Sequence, residues 1–245
     1  MDRAGVISVP ENSDDDGPAP RTVVDERSLS PMRRTIANRL QESYQNAVHV
    51  TVSREVDAEA VVTVADTTDD VSVMDVLLAA LSETLETHPS FNATFEDGTH
   101  RLYEEHNVGV AVDIDAGLVA PVIADIGSKS LNEIATERRR LTDRVQRGEY
   151  EMRDLRGGTI TVSNLGPLGV DSFTPVINPP EVAILGVGRI VERARPDDGD
   201  VEFRRRLTLD LSFDHRVVDG ADAARFLGTL ADHVESADQS VGDDA

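Results

Sequence analysis

The 245-residue chain has no cysteine, no tryptophan and a single lysine, Lys129. Without cysteine there can be no disulfide and no thiolate metal site, so any reacting thiol has to arrive with a substrate. No metal-ligand set is expected. No apolar run approaches the ~20 residues that span a bilayer, and Met1 to Pro10 lack the long apolar core of a secretory signal. A cytoplasmic protein without a membrane span is expected. Positive charge is also scarce: 24 Lys plus Arg face 46 Asp plus Glu, a net charge of -22. That balance argues against nucleic-acid binding, which wants a basic face to neutralise phosphates. An acidic chain nearly free of lysine suggests a halophilic host, where dense surface carboxylates hold water and cations.

What is present divides into tails and one domain. Residues 1–27 read as a disordered acidic tail, because the stretch Glu11 to Pro20 offers too little apolar surface to offset its ordering entropy. Residues 237–245 read as an acidic C-terminal tail. Between them, 28–236 alternates helical and strand patterns, a mixed α/β domain with ample core. Ser30 and Pro31 open a helix whose Ile36, Leu40, Tyr44 and Ala47 form a stripe. Val48 to Val56 alternates like a strand, and residues 58–71 look irregular. Ser72 and Asp75 make a capping box for a helix with Val73, Val76, Leu77, Ala80, Leu81 and Leu85 inward, stopped by Pro89. Asp97-Gly98 turns into a strand from Thr99 to Tyr103. The run from Val108 to Ile123 reads as one β-turn-β unit broken at Gly117. Ser130 and Glu133 form a second capping box, before a helix whose Arg138, Arg139, Arg140 and Arg144 read as its exposed side. Thr159 to Ser163 is a strand entering a glycine-rich loop. Pro196 to Gly199 turns the chain into the final strand.

That final strand carries the densest signal. Leu207, Leu209, Leu211 and Phe213 alternate with polar residues, and His215 continues the alternation, which places it at the strand's end facing the apolar side. Asp219-Gly220 then opens a helix with Ala224, Leu227, Leu230, Ala231 and Val234 on one face. Taken alone, His215 reads as a hydrogen-bonded core histidine and Asp219 as a helix N-cap.

The string D-H-R-V-V-D-G over Asp214–Gly220 resembles the HxxxDG signature of dihydrolipoamide acyltransferases, the core subunits of 2-oxo acid dehydrogenase complexes. The resemblance extends over roughly residues 28–235. It takes in the opening helix from Leu29 to Leu40 and the H-N-V-G-V-A-V-D…G-L-V-A-P-V-I segment from His106 to Ile123. It also takes in the G-G-T-I-T-V-S-N-L-G run from Gly157 and the stretch from Phe173 to Gly188. It implies a chloramphenicol-acetyltransferase-like mixed sheet packed against helices, an α+β sandwich. It also implies a homotrimer with an active site at each subunit interface, the trimers assembling into a larger hollow core.

The implied reaction moves an acyl group between dihydrolipoyl and coenzyme A. By the residue match, His215 is the general base, Ser163 the oxyanion donor, and Asp219 an orienting and charge-balancing residue. Ser72, Asp113, Asn164 and Gly188 fall where branched-chain members contact coenzyme A. Ser163 and His215 of one chain are not expected to meet; the pair is expected to face each other across the interface between subunits. Family members carry N-terminal lipoyl and peripheral-subunit-binding domains. Here about 27 residues precede the domain, and Lys129 sits at a helix start rather than in a hairpin turn. The lipoyl group is therefore expected in trans, from a lipoyl-bearing partner alongside the 2-oxo acid dehydrogenase subunits. Two other readings stay open: an acyltransferase acting on a small non-lipoyl acceptor, and a non-catalytic assembly scaffold.

Overall fold

The computed structural model describes residues 21–114, 117–197 and 200–240. Residues 1–20 and 241–245 of the two expected tails, and Asp198 and Gly199 of the expected last turn, lie outside the described residues. In chain order the elements are α1 (Pro31–Asn46), β1 (His49–Asp57), α2 (Glu59–Thr67), α3 (Val73–Thr87), β2 (Ala93–Glu96) and β3 (Thr99–Leu102). There follow β4 (Val108–Val110), β5 (Val112–Ile114), β6 (Gly117–Val119), β7 (Val122–Ile123), α4 (Leu131–Gln146) and β8 (Ile160–Asn164). The chain ends with β9 (Ala183–Val187), β10 (Val191–Asp197), β11 (Asp200–Asp214), α5 (Gly220–Glu235) and α6 (Ala237–Ser240).

Local chemistry starts the helices where the spacing placed them. Ser30 Oγ accepts from the Arg33 N–H at 3.2 Å, with Pro31 in the first turn of α1. Ser72 with Asp75, and Ser130 with Glu133, form the expected capping boxes of α3 and α4. Among the described residues no helix is long and apolar enough to cross a membrane.

The seven-stranded main sheet runs β1-β11-β9-β8-β4-β7, with β10 also paired to β11. β8 pairs in parallel with both β9 and β4, and the other pairs are antiparallel, so the sheet is mixed. Side chains in register project to one face. On one face the row Val52, Leu211, Leu185, Val162 and Val110 is apolar. It joins inward residues of α3 and α5 in a single core. On the other face run Ser53, Asp210, Gly186 and Ser163, and beside them Thr51, Ser212, Ile184 and Thr161.

This second face is polar yet buried, where the alternation had indicated one buried face. Asp210, Ser212 and Asp214 are all within 3% of full burial. The covering segment is 171–181, pinned at both ends. Asp210 accepts from Ser53 Oγ, from Ser172 Oγ at 2.9 Å and from the Phe173 N–H at 3.0 Å. At the far end Ser43 Oγ donates to the Ile177 carbonyl at 2.6 Å, and the Arg39 guanidinium to the Pro179 carbonyl at 2.7 Å.

Several expectations are corrected. Residues 58–71 are not irregular: α2 forms there although Ala58 offers no side-chain cap. Tertiary contacts hold it, with Val61 and Val64 buried and Glu59 accepting from the Arg205 backbone and guanidinium. The 108–123 unit splits into four strands, with β4 and β7 in the main sheet and β5–β6 in a separate hairpin. In α5 Leu227, Leu230, Ala231 and Val234 face inward as expected, joined by Ala223 and Phe226, but Ala224 is exposed. The α1 stripe is not a core face within the subunit. Ile36 packs against Gly117, but Leu40 and Tyr44 are exposed and Ser43 is the buried residue. Ala237, placed in the tail by composition, is buried at the start of α6.

Asp210→Ala leaves two hydroxyls and the Phe173 N–H without their acceptor. An unmet buried polar group costs roughly 1–3 kcal/mol, so denaturant unfolding should show a loss of at least that size.

Candidate functional site

The site begins where β11 ends. Asp214 is buried and accepts from the Val48 N–H at 3.2 Å and from the Arg216 N–H at 3.1 Å. The Arg216 guanidinium clamps the same carboxylate through Nε and Nη2. Burial by itself works to raise the Asp214 pKa. The bonds from Arg216 and Val48 and the Arg216 charge outweigh it, and hold the carboxyl below its ordinary value. Arg216 also lies over the Phe95 ring, 4.7 Å from its centroid. Within D-H-R, therefore, the first and third residues grip each other, and His215 is what they present.

His215 stands at the end of the strand on the same side as Phe213, but it is not enclosed. The Val217 and Val218 N–H groups turn back to the Asp214 carbonyl, so the chain leaves the sheet just after His215. Its N–H donates to the Val48 carbonyl at 2.9 Å, and its side chain is 40% exposed, the ring 5.6 Å from that of Phe213. Asp219 occupies the N-cap position of α5 but makes no side-chain cap bond. Its carboxylate is 80% exposed, with Oδ1 3.8 Å from His215 Nδ1. Capping therefore does not absorb Asp219, and the carboxylate is available to the imidazole.

Ser163 lies on the polar face of β8, buried, and its hydroxyl forms no hydrogen bond with another described residue. The register shows how far it is from His215. Ser163 pairs with Gly186 and Gly186 with Asp210, so Ser163 is two strands across and five residues back from His215. At about 4.8 Å per strand and about 3.3 Å per residue the separation is about 19 Å. The two side chains do not meet within one chain.

The glycine-rich loop makes a second feature. Asn164 Oδ1 accepts from the Gly166 N–H at 2.8 Å, and Gly166–Leu168 closes one 3-10 turn. Gly188 has to be glycine, because a Cβ there would lie 2.1 Å from the Asp171 carbonyl oxygen. Asn164 and Gly188 line a cleft of about 220 Å³ with Val73, Met74 and Leu77 of α3. Ser72 precedes Val73 in the chain but is not among the residues that line this cleft. Asp113 is exposed on the β5–β6 hairpin and does not line this cleft. Arg138 and Arg144 are not simply exposed. The Arg138 side chain is 18% exposed and bonds Asp75 and the Ser72 hydroxyl, and Arg144 pairs with Asp154.

The family model for the 2-oxoacid dehydrogenases acyltransferase catalytic domain matches residues 22–241. The chain belongs to that family. It is 36% identical over 212 residues to the dihydrolipoyllysine-residue acetyltransferase component of the Bacillus subtilis pyruvate dehydrogenase complex, covering 82% of this chain and 48% of that protein. The chain thus spans about half the length of this relative. It also resembles the Azotobacter vinelandii dihydrolipoamide acetyltransferase studied for the roles of a serine, a histidine and an asparagine in catalysis. There the TM-score is 0.83 with 31% identity, over 89% of this chain and 96% of that one. The cubic core of a pyruvate dehydrogenase multienzyme complex is similar at TM-score 0.82 and 30% identity, over 94% and 97% of the two chains. Chloramphenicol acetyltransferase, at TM-score 0.55 and 16% identity over 80% of this chain and 94% of that one, shares the fold.

One buried group in this acyltransferase fold went without a role in the sequence reading, although it lies in the quoted stretch from Phe173 to Gly188. Glu181 accepts from Thr161 Oγ1 at 2.6 Å and from Asn178 Nδ2 at 2.8 Å. It helps line a cleft of about 560 Å³ with Arg39, Pro180, Asp214 and Arg216. Burial pushes its carboxyl up to about 7, against the smaller opposing pull of those two hydrogen bonds and the Arg39 charge. Below the ordinary carboxylate pKa both folded and unfolded chains are protonated, and the site costs nothing. As pH rises from there to 7, the unfolded chain ionises while the folded one holds its proton, so stability falls. By linkage the loss is at most about 3 kcal/mol above pH 7. Glu181→Gln should match wild type at pH 4 and exceed it at pH 8, read from denaturant midpoints at fixed salt.

Proposed function

We propose that the chain transfers an acyl group between the thiols of dihydrolipoyl and coenzyme A, as the core acyltransferase of a 2-oxo acid dehydrogenase complex. Residues 28–236 form its catalytic domain. His215 takes the proton of the attacking thiol, with Asp219 orienting the imidazole and balancing its charge. The thiolate attacks the thioester carbonyl, and the resulting oxyanion accepts a hydrogen bond from Ser163 of a neighbouring subunit. Collapse expels the other thiolate, which recovers the proton from His215. Asn164 and Gly188 line the coenzyme's cleft, and Ser72 contacts the coenzyme from the start of α3. Asp113 approaches the coenzyme from the hairpin.

The observation that carries this reading is a spacing. The catalytically studied serine and histidine of the Azotobacter enzyme lie as far apart in sequence as Ser163 and His215, and its asparagine stands where this chain has Asp219. The separation of Ser163 from His215 within one chain supports an active site between subunits. The exposed Leu40 and Tyr44 supply apolar surface for a homotrimer, and the likeness to a cubic core supports further assembly. Lys129, the only lysine of this sequence, is mostly buried beside Glu137, so the lipoyl amide lies outside residues 1–245. It is carried by a separate lipoyl domain working with the dehydrogenase subunits. Coenzyme A and those partners suit a cytoplasmic enzyme, and the net charge of -22 suits a halophilic host.

The test is acyl exchange between acyl-coenzyme A and dihydrolipoamide at molar salt, beginning with acetyl because the Bacillus relative is an acetyltransferase. His215→Ala should lower kcat roughly 10²–10⁴-fold, and Ser163→Ala roughly 10²–10³-fold. Subunits of the two variants, unfolded together in equal amounts and reassembled, should recover about a quarter of wild-type activity, since that fraction of interfaces joins an intact serine to an intact histidine. Reassembled mixtures that stay as inactive as either parent would refute the shared site.

A further inference from the structure

The cleft beside the glycine-rich loop is lined mostly by apolar side chains, and Arg189 is the one charged side chain among the described residues that line it. At about 220 Å³ it is smaller than the roughly 300–1,000 Å³ of pockets that enclose a drug-sized ligand. It therefore takes a slender part of the coenzyme and leaves the rest outside. Coenzyme A divides at that point, because its pantetheine arm is neutral and its nucleotide end carries the phosphates.

Arg189 stands between β9 and β10, its side chain 46% exposed, so it lies where the cleft meets solvent. It is held at two points. Its N–H donates to the Val170 carbonyl at 2.8 Å, and Nε and Nη2 grip the two oxygens of Asp171 at 2.6 and 3.3 Å. Asp171 is fixed in turn, since its carbonyl lies against Gly188 and the next two residues bond Asp210. The pairing occupies the guanidinium edge formed by Nε and Nη2. The other edge, Nη1 with the second Nη2 proton, bonds no other described residue, although carboxylates outnumber cations 46 to 24 in this chain. A tie between two loops needs only the first edge. The second is a fork that fits two oxygens of one phosphate, and a side chain already held loses little freedom on receiving it.

We infer that Arg189 recognises the phosphorylated end of the coenzyme: its uncommitted edge takes a phosphate at the mouth of the cleft, while the neutral arm runs inside past Asn164 and Gly188. The inference rests on the proposed coenzyme cleft.

The experiment measures KM and kcat with acetyl-coenzyme A, with its 3′-dephospho form and with acetyl-pantetheine, which has no phosphate. Wild type is compared with Arg189→Met, Arg189→Lys and Met74→Trp, each checked for assembly and thermal unfolding. At molar salt the Debye length is about 3 Å, so an arginine that discriminates among these donors must touch the phosphate. Arg189→Met should raise the acetyl-coenzyme A KM about tenfold, a typical scale for a lost hydrogen bond between charged groups. It should leave the acetyl-pantetheine KM within about twofold. Arg189→Lys keeps the charge without the fork and should fall between; it also keeps the test open if Arg189→Met fails to assemble. A penalty that persists with the dephospho donor assigns the contact to the pyrophosphate, and one that vanishes assigns it to the 3′-phosphate. An acetyl-coenzyme A KM unchanged in both Arg189 variants, or one that rises equally with acetyl-pantetheine, overturns the inference and leaves the cleft standing. Met74→Trp narrows the cleft and should raise KM for every donor. No effect of Met74→Trp on any of them removes the cleft as the coenzyme's site, and the inference with it.

Discussion

The structure depends on a polar row buried along its central strand. Asp210, Ser212 and Asp214 project from β11 away from the helices, into a space closed by the segment 171–181. Buried carboxylates are tolerated only when donors surround them. Meeting that requirement positions everything nearby. Asp210 draws Ser172 and the Phe173 backbone down onto the sheet, so the Asp171 carbonyl lies against Gly188 and the loop after β8 is held in place. Asp214 draws Arg216 back on itself, so the chain turns sharply and presents His215 at the surface. The two carboxylates are paired differently, one with neutral hydroxyls and an amide, the other with a guanidinium, and each fixes one edge of the proposed chemistry.

Legibility in the sequence followed the range of the forces involved. The starts of α1, α3 and α4 were readable because Ser30, Ser72/Asp75 and Ser130/Glu133 act within one turn of the chain. The apolar row of β11 was readable because its period is local. α2 was not, since Ala58 gives no cap and the helix is held by Val61, Val64 and the Glu59–Arg205 pair, which lie far apart in sequence. The burial of Asp210 and Asp214 was hidden for the same reason, because their cover arrives from residues 171–181. For His215 the alternation gave the side, beside Phe213, but not how open the end of the strand is.

Arg138 and Glu181 show the other limit. An arginine in a run of arginines reads as a solvated face, and only the approach of α3 to α4 reveals that one of them is committed to a buried carboxylate. Glu181 sits in a stretch whose residues say "turn", and its proton-holding environment exists only once Thr161 and Asn178 are brought to it. Asp219 differs again. Its position at a helix start offered a sufficient local explanation, and the unused cap is what frees its carboxylate for His215.

The spacing of strands has a consequence for the newly made chain. Sheet geometry keeps Ser163 and His215 apart, and no side-chain motion closes a gap of about 19 Å. Under the proposed mechanism a lone subunit has a base without an oxyanion donor, and a donor without a base. Chains not yet assembled would therefore spend no acyl thioester on water or stray thiols. Quaternary structure would then serve as the enzyme's zymogen control: turnover switches on with association, needs no cleaved propeptide, and fades on dilution below the concentration at which subunits part.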